Sequence, residues 1–510
     1  MNGALALLRT AEGAGANICF ANPGTTELPL VAALDRVPGI RPVLCLFEGG
    51  CSGSADGWAR MTGRPALTLL HLGPGLANAA ANLHNARRAR SPILNVIGDH
   101  ATRHLPHDPL LASDIERIAA SVSDTVLRCS SGARVADTTA RALEAALAPP
   151  GRPVALIVAD DVQSEPSSAA STPPRTRPPA RVPPETVERA ARTLRAGRGA
   201  ILVGRGGALG RGLEAAGRIA AATKARLFSE TFAARLERGR SRPVAERFPY
   251  FPEQAQSALA GIRTLVLAGA REPVAFFGYP GRPSVLVPEG GSLRLAGPDE
   301  DVARALEDLA DALDARQRAT TDASPPEPTR GPLDPVRLGL VLAYHQPENA
   351  IIVDEGLSSA GPWFGASSGA PPHDVLALTG GAIGAGLPLA TGAALACPDR
   401  RVIALQADGS GLYTLQSLWT QAREGTHVVT IVCANRSYRI LQVELARAGH
   451  AEPGPAARAF TDLAGPAPDW VALARGFGVP ATRVETSEEL ARALENAFRE
   501  KGPHLVEALL

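Results

Sequence analysis

Two hydrophobic rhythms alternate along the chain. Short runs of consecutive apolar residues close on a glycine or polar turn, and between them lie longer stretches whose apolar positions return every three or four residues. In the first third, NICFANPG, PVLCLFEGG, ALTLLHLGPG and PILNVIGD each predict a strand ending in a turn, with helices over SGSADGWARMTG and GLANAAANLHNARRAR. The middle third predicts strands at GAILVGRGG and TLVLAGA around the helix LGRGLEAAGRIAAAT. The last third predicts strands at NAIIVDEG, RVIALQADGS, HVVTIVCAN and PHLVEALL. Apolar strands separated by helices imply parallel sheets covered on both faces. The predicted fold is therefore α/β, with three doubly wound parallel-sheet domains. Ligands of such sheets bind beyond the carboxyl ends of the strands.

Residues 163–185 and 316–335 are rich in Pro, Ser and Arg and lack an apolar period, as linkers do. They divide the chain into domains expected at 1–165, 185–315 and 335–510. Lys and Arg number 52 against 51 Asp and Glu, which leaves no charge excess to hold nucleic acid or an anionic membrane surface. No run reaches about 18 uninterrupted apolar residues, so no membrane span is expected. The N-terminus has no basic region before its apolar part and reads as a first helix and strand, not a signal peptide. Cys19, Cys45, Cys51, Cys129, Cys397 and Cys433 form no C-x-x-C pair and sit mainly in apolar stretches. They read as reduced, buried thiols of a cytoplasmic protein.

Candidate chemistry falls at predicted strand ends. One strand closes at Gln406 before Asp408-Gly409-Ser410, and another, 428–433, closes before Asn435. The 27-residue separation fits one strand–helix–strand unit, which places Asp408 and Asn435 side by side. A carboxylate, an amide oxygen and a backbone carbonyl near Ser437 suit a hard cation such as Mg²⁺. Gly409 allows close approach of a diphosphate to a helix N-terminus. D-G and N-R-S are also common turn sequences, and by themselves these residues fit that use equally.

The spacing A-D-G-S…A-N resembles the cofactor signature of thiamine diphosphate enzymes, with Ala407 where the family has its first glycine. The resemblance spans nearly the whole chain and is closest to the acetolactate synthase, pyruvate oxidase and benzoylformate decarboxylase group. It implies pyrimidine-binding, central and diphosphate-binding domains, in that order. ANPGTTELPL is similar to an active-site segment and implies Thr25 as a substrate contact. LFEGGCSGSADGWARMTGRP is similar to the segment bearing the cofactor-activating glutamate, here Glu48. LLHLGPGLANAAANLHNARRARSPIL implies an active-site His71. LTGGAIGAGLPLATGAAL implies that Gly381 offers its carbonyl to the aminopyrimidine and that Ile383 wedges the cofactor into its bent form. VDEGLSSAG implies diphosphate contacts from the Leu357 backbone and the Ser358 hydroxyl. Gly409, Ser410 and Tyr438 complete the implied cofactor set, and Asp408, Asn435 and Ser437 the metal set.

Taken alone, Glu48 also reads as a helix N-terminal acid, His71 as a core histidine and Thr25 as a turn hydroxyl. Asn78 lines the site or caps a helix, and His84 reads as structural. His100, His104 and His107 have near-helical spacing, but a proline interrupts them, and they read as a surface or interface loop.

Two departures qualify the resemblance. Phe276, Phe277 and Gly278 stand where benzoylformate decarboxylase has a second histidine. Ile440-Leu441 stand where pyruvate decarboxylase has a catalytic glutamate. Together with Ile440 and Leu441, the two phenylalanines suggest an apolar pocket. The resemblance implies thiamine diphosphate and Mg²⁺, a 2-oxo acid substrate, and a homodimer at least, with a homotetramer expected. The implied activity is decarboxylation or carboligation, as a lyase or transferase. The alternatives are an acetolactate synthase catalytic subunit with FAD and a regulatory partner, a 2-hydroxyacyl lyase, or a non-catalytic homologue. The single G-x-G-G turn of AILVGRGGALGRGL is too little to carry FAD.

Overall fold

A computed structural model describes residues 1–167, 169–171, 177–317, 320 and 323–510. Parts of both predicted linkers fall outside these residues. The described chain forms three sheets. The first contains β1 (Ile18–Asn22), β2 (Arg41–Leu44), β3 (Ala66–Leu70), β4 (Ile93–Asp99), β5 (Thr125–Arg128) and β6 (Pro153–Ala159), in the order β2-β1-β3-β4-β6-β5, all parallel. β4 and β6 are buried along their whole length, which is why they read as unbroken apolar runs instead of alternating ones.

The middle segment supplies β7 (Gly199–Val203), β8 (Arg226–Ser229), β9 (Leu236–Arg238), β10 (Glu246–Arg247), β11 (Thr264–Ala268) and β12 (Ser292–Ala296). Five of these make a parallel sheet, β10-β8-β7-β11-β12. β9 leaves it. It pairs antiparallel with β14 at the edge of the third sheet, Arg238 opposite His373. The third sheet contains β13 (Ile351–Glu355), β14 (His373–Ala377), β15 (Val402–Ala407), β16 (Val428–Ala434), β17 (Ala481–Val484) and β18 (His504–Leu509), in the order β17-β18-β16-β15-β13-β14-β9. The middle segment is thus not self-contained. Arg238 explains the exchange: its buried guanidinium donates to Ser367 Oγ (2.9 Å), the Ala245 carbonyl (2.9 Å) and the Phe364 carbonyl (2.8 Å).

The first and third sheets are joined through helices Glu48–Thr62 and Gly386–Ala396. Their backbones approach too closely for side chains at the crossing. A Cβ on Gly57 would stand 2.1 Å from the Leu389 carbonyl oxygen, and one on Gly392 would stand 1.9 Å from that of Ser54. Arg60, on the same helix, donates to the Ala377 carbonyl (2.7 Å) and to Thr379 Oγ1 (3.0 Å). All six cysteines are free thiols, and all but Cys397 are buried. Among the described residues no helix is long and apolar enough to cross a membrane.

Candidate active site

Four neighbouring strand ends of the third sheet carry the expected cofactor residues. The register pairs Glu355 with Gln406 and Ala407 with Cys433. Leu357, Asp408 and Asn435 each lie two residues beyond one of these paired positions, so they emerge side by side. Asp408 opens a short helix, Asp408–Gly411, and not only a turn. Its Oδ1 accepts from the Gly409 N–H (2.8 Å) and its Oδ2 from the Arg436 N–H (2.6 Å). Burial lifts its carboxyl above the ordinary range, against the pull of those donors. Asn435 Oδ1 accepts from the Ser437 N–H at 3.0 Å. Gly409 is required: a Cβ there would stand 2.6 Å from Tyr438 Cε1.

Leu357 and Ser358 are the exposed residues of the helical turn Leu357–Ser359, with Leu357 at φ 48°. Gly381 and Ile383 belong to the loop that follows β14. Gly381 and Gly384 have φ of 75° and 90°, a backbone that only glycine adopts without strain. The loop is pinned from two sides. Asn85 Nδ2 donates to the Ala382 carbonyl (2.7 Å), and Asn82 Nδ2 donates to both the Gly384 carbonyl (3.2 Å) and the Gly49 carbonyl (2.9 Å). From below, Glu355 accepts from the Gly384 N–H (2.6 Å) and the Gly386 N–H. Its burial pushes its pKa up to about 7. His84 Nε2 meets the Gly380 carbonyl at 3.1 Å, a structural contact as expected.

The N-terminal candidates emerge from β1, β2 and β3, also neighbours. Glu48 begins helix Glu48–Thr62 and is 8 % exposed. Asn78 Nδ2 donates to its Oε2 at 3.0 Å, and Gly75 leaves room for its other oxygen, which would lie 3.0 Å from a Cβ. His71 caps β3, and its Nδ1 lies 2.8 Å from Glu27 Oε2. Glu27 is fully buried and also accepts from the Gly24 N–H (2.8 Å) and Thr26 Oγ1 (2.6 Å). A Cβ on Gly24 would stand 2.2 Å from His71 Nδ1. Of the two threonines, Thr26 joins this group, while Thr25 is exposed at the turn.

Sequence reasoning did not single out Glu27, Glu355, Asn82 or Asn85. The first two lay in quoted motifs, Glu355 as the last residue of β13 and Glu27 in the helical turn after β1, and the two asparagines act from a helix face whose partner is about 300 residues away. His100, His104 and His107 form ring contacts, with centroids 5.8 and 6.2 Å apart, in a surface loop. Among the described residues no group of three or more His, Cys, Asp and Glu is placed to hold a metal ion. The oxygen donors at Asp408, Asn435 and Ser437 fit a hard cation that takes its remaining ligands from a phosphate. In the middle segment, the G-x-G-G turn holds Arg205 at φ 46°. Arg205 donates to the Ala89 (2.8 Å) and Pro150 (2.5 Å) carbonyls of the first domain.

Three parallel-sheet α/β domains, with clustered polar groups at the strand ends of the first and third, define the architecture of a thiamine diphosphate enzyme. Comparison bears this out. Residues 1–118 match the thiamine pyrophosphate enzyme N-terminal TPP binding domain, and residues 363–508 the C-terminal TPP binding domain. Over its whole length the chain is 47 % identical to the Mycobacterium tuberculosis protein IlvX (99 % of that chain), whose name assigns it provisionally as an acetolactate synthase large subunit. It is 30 % identical, over 97 % of its length and 96 % of the relative's, to benzoylformate decarboxylase of Pseudomonas aeruginosa. The Rhodococcus jostii RHA1 4-hydroxybenzoylformate decarboxylase shares the fold, with a TM-score of 0.89 at 24 % identity, covering 99 % of this chain and 98 % of that one. The chain belongs to the thiamine diphosphate-dependent family of decarboxylases and acetolactate synthases.

Proposed function

We propose that this protein, with thiamine diphosphate and Mg²⁺, decarboxylates a 2-oxo acid and joins the remaining acyl carbon to a proton or to a second carbonyl compound. The observation that carries this reading is the alignment of Leu357, the Gly381–Ile383 loop, Asp408 and Asn435 on four adjacent strand ends. Asp408, Asn435 and the Ser437 backbone would hold the cation, and Leu357, Ser358, Gly409, Ser410 and Tyr438 the diphosphate region. The Gly381 carbonyl and Ile383 would set the ring geometry. When bound, the cofactor would supply a carbon nucleophile for the substrate carbonyl and a cationic ring as the sink for the electrons of the broken C–C bond. Glu48 holds a proton for the pyrimidine nitrogen. With Nδ1 engaged by Glu27, His71 leaves Nε2 for the substrate carboxylate, beside the Thr25–Thr26 turn. By family resemblance the Glu48 side of one subunit serves the Asp408 side of another, in a homodimer or homotetramer.

Carboligation is favoured by a specific absence. Residues 276–278 and 440–441 offer no proton donor, so a second carbonyl has time to compete with protonation. The test is CO₂ release from a panel of 2-oxo acids, with and without cofactor and Mg²⁺ and with and without an acceptor aldehyde. Glu48→Gln should lower kcat by about 10²- to 10⁴-fold, the usual loss of an acid–base group, with cofactor affinity reduced far less. Cofactor binding without turnover of any 2-oxo acid would sink the proposal. Acetolactate from pyruvate in a yellow protein would favour the acetolactate synthase reading.

A further inference from the structure

Resting on that reading, we infer that Phe276 and Phe277 form the wall of the acyl side-chain pocket and select a 2-oxo acid bearing an aryl or comparably bulky apolar group over pyruvate. Phe276 comes from the middle segment yet lies directly on the cofactor loop. A Cβ on Gly381 would stand 2.6 Å from its Cζ. The ring belongs to an aromatic cluster, with centroids 5.9 Å from Phe232, 5.2 Å from Tyr250 and 4.8 Å from Phe277.

Two anchors hold this wall against the helix that follows Asn435. Tyr279 Oη donates to Glu444 Oε1 at 2.8 Å, and the Arg447 guanidinium lies 4.9 Å from the Tyr279 ring centre. Helix Arg439–Arg447 also carries an exposed apolar residue, Leu441. Phe276 and Phe277 nonetheless remain 42 % and 55 % exposed. Ring contacts with neighbouring aromatic residues hold them, and the rest of each ring is uncovered in the single chain. Such faces gain most by covering an aromatic or large apolar surface, through area and ring contacts that a methyl group cannot supply. The carboxylate end of the substrate is left to His71 and its neighbours.

The test compares kcat/KM for phenylglyoxylate and pyruvate in the cofactor-loaded full chain, the Phe276→Ala and Phe277→Ala variants, and Phe276→Leu as a variant that keeps an apolar side chain. Cofactor binding to each variant verifies its fold. Phenylglyoxylate should be preferred by the wild type. The alanine variants should lose about 10- to 100-fold on phenylglyoxylate, with pyruvate little changed, and Phe276→Leu should lose less. ThDP-dependent turnover that favours pyruvate, or equal losses on both substrates, overturns this inference alone. So does a Phe277→Ala variant that changes only the oligomeric state, because a second copy would then be what covers the ring. Failure to bind the cofactor overturns the proposed function and this inference together.

Discussion

Gly24 and Glu355 act on the proposed site through the residues they pack against, His71 and the Gly381–Gly386 loop. The space that a Gly24 side chain would need is filled by the His71 ring. Gly24→Ala should therefore push His71 away from Glu27. The expected outcome is a fall in kcat approaching that of His71→Ala, at least tenfold, with cofactor affinity preserved. Steady-state kinetics and a cofactor titration on the same sample check this. Glu355 titrates near neutrality because its carboxyl is buried beneath the cofactor loop. The unfolded carboxyl gives up its proton near its ordinary value of 4.5, while the folded one keeps it to about 7. The native state binds more protons across that window, so Glu355 makes stability fall as pH rises from 4.5 to 7. Glu355→Gln should flatten this part of the Tm–pH curve. It should also loosen the loop, since an amide accepts one of the two N–H donors and faces the other with its own NH₂.

β9 is three residues long, yet it ties the middle segment to the third sheet. Main-chain pairing of that length is weak, and Arg238 supplies the rest. Arg238→Met keeps much of the side-chain volume but leaves the Ala245 and Phe364 carbonyls without this donor. A loss of about 2–4 kcal/mol is expected, read as a lower midpoint in urea, with β9 amides exchanging faster than those of β13 and β15. An unchanged midpoint would mean that the sheets are held by packing alone. The glycine-lined crossing of helices Glu48–Thr62 and Gly386–Ala396 follows the same logic, since close backbone approach substitutes there for side-chain interdigitation. It also links the start of the Glu48 helix to the end of the cofactor loop.

For the assembled molecule, the cross-subunit proposal makes a quantitative prediction. Glu48→Gln and Asp408→Ala disable opposite halves of the site. Mixed, unfolded and refolded together at equal amounts, the two inactive chains should form heterodimers in half of all cases, each with one intact site. Activity should recover to roughly a quarter of wild type. No recovery, with heterodimers demonstrated by mass, would place both halves of the site in one chain.

Strands such as Ile93–Asp99 and Val428–Ala434 were legible in the sequence because burial on both faces leaves an unbroken apolar run, and period alone reveals it. Asp408 and Asn435 could be placed side by side from spacing alone, because one strand–helix–strand unit separates them, whereas Glu48 and Gly381 were singled out only through the family resemblance and their roles stay proposals. β5, β6, β8, β10, β12, β14 and β17 were not singled out; most are short or lie at or near sheet edges where the apolar signal thins, whereas β6 is a buried apolar run that the reading passed over. β9 could not be read at all, because its partner is chosen by the geometry of Arg238 among residues more than a hundred positions away. The same holds for the buried Glu27–His71 pair, for Glu355 beneath the cofactor loop, and for Phe276 lying on Gly381. Local pattern reports which groups face inward and where the chain turns. Which inward-facing groups meet depends on how three sheets pack, and that is settled by long-range contacts that leave no period in the chain.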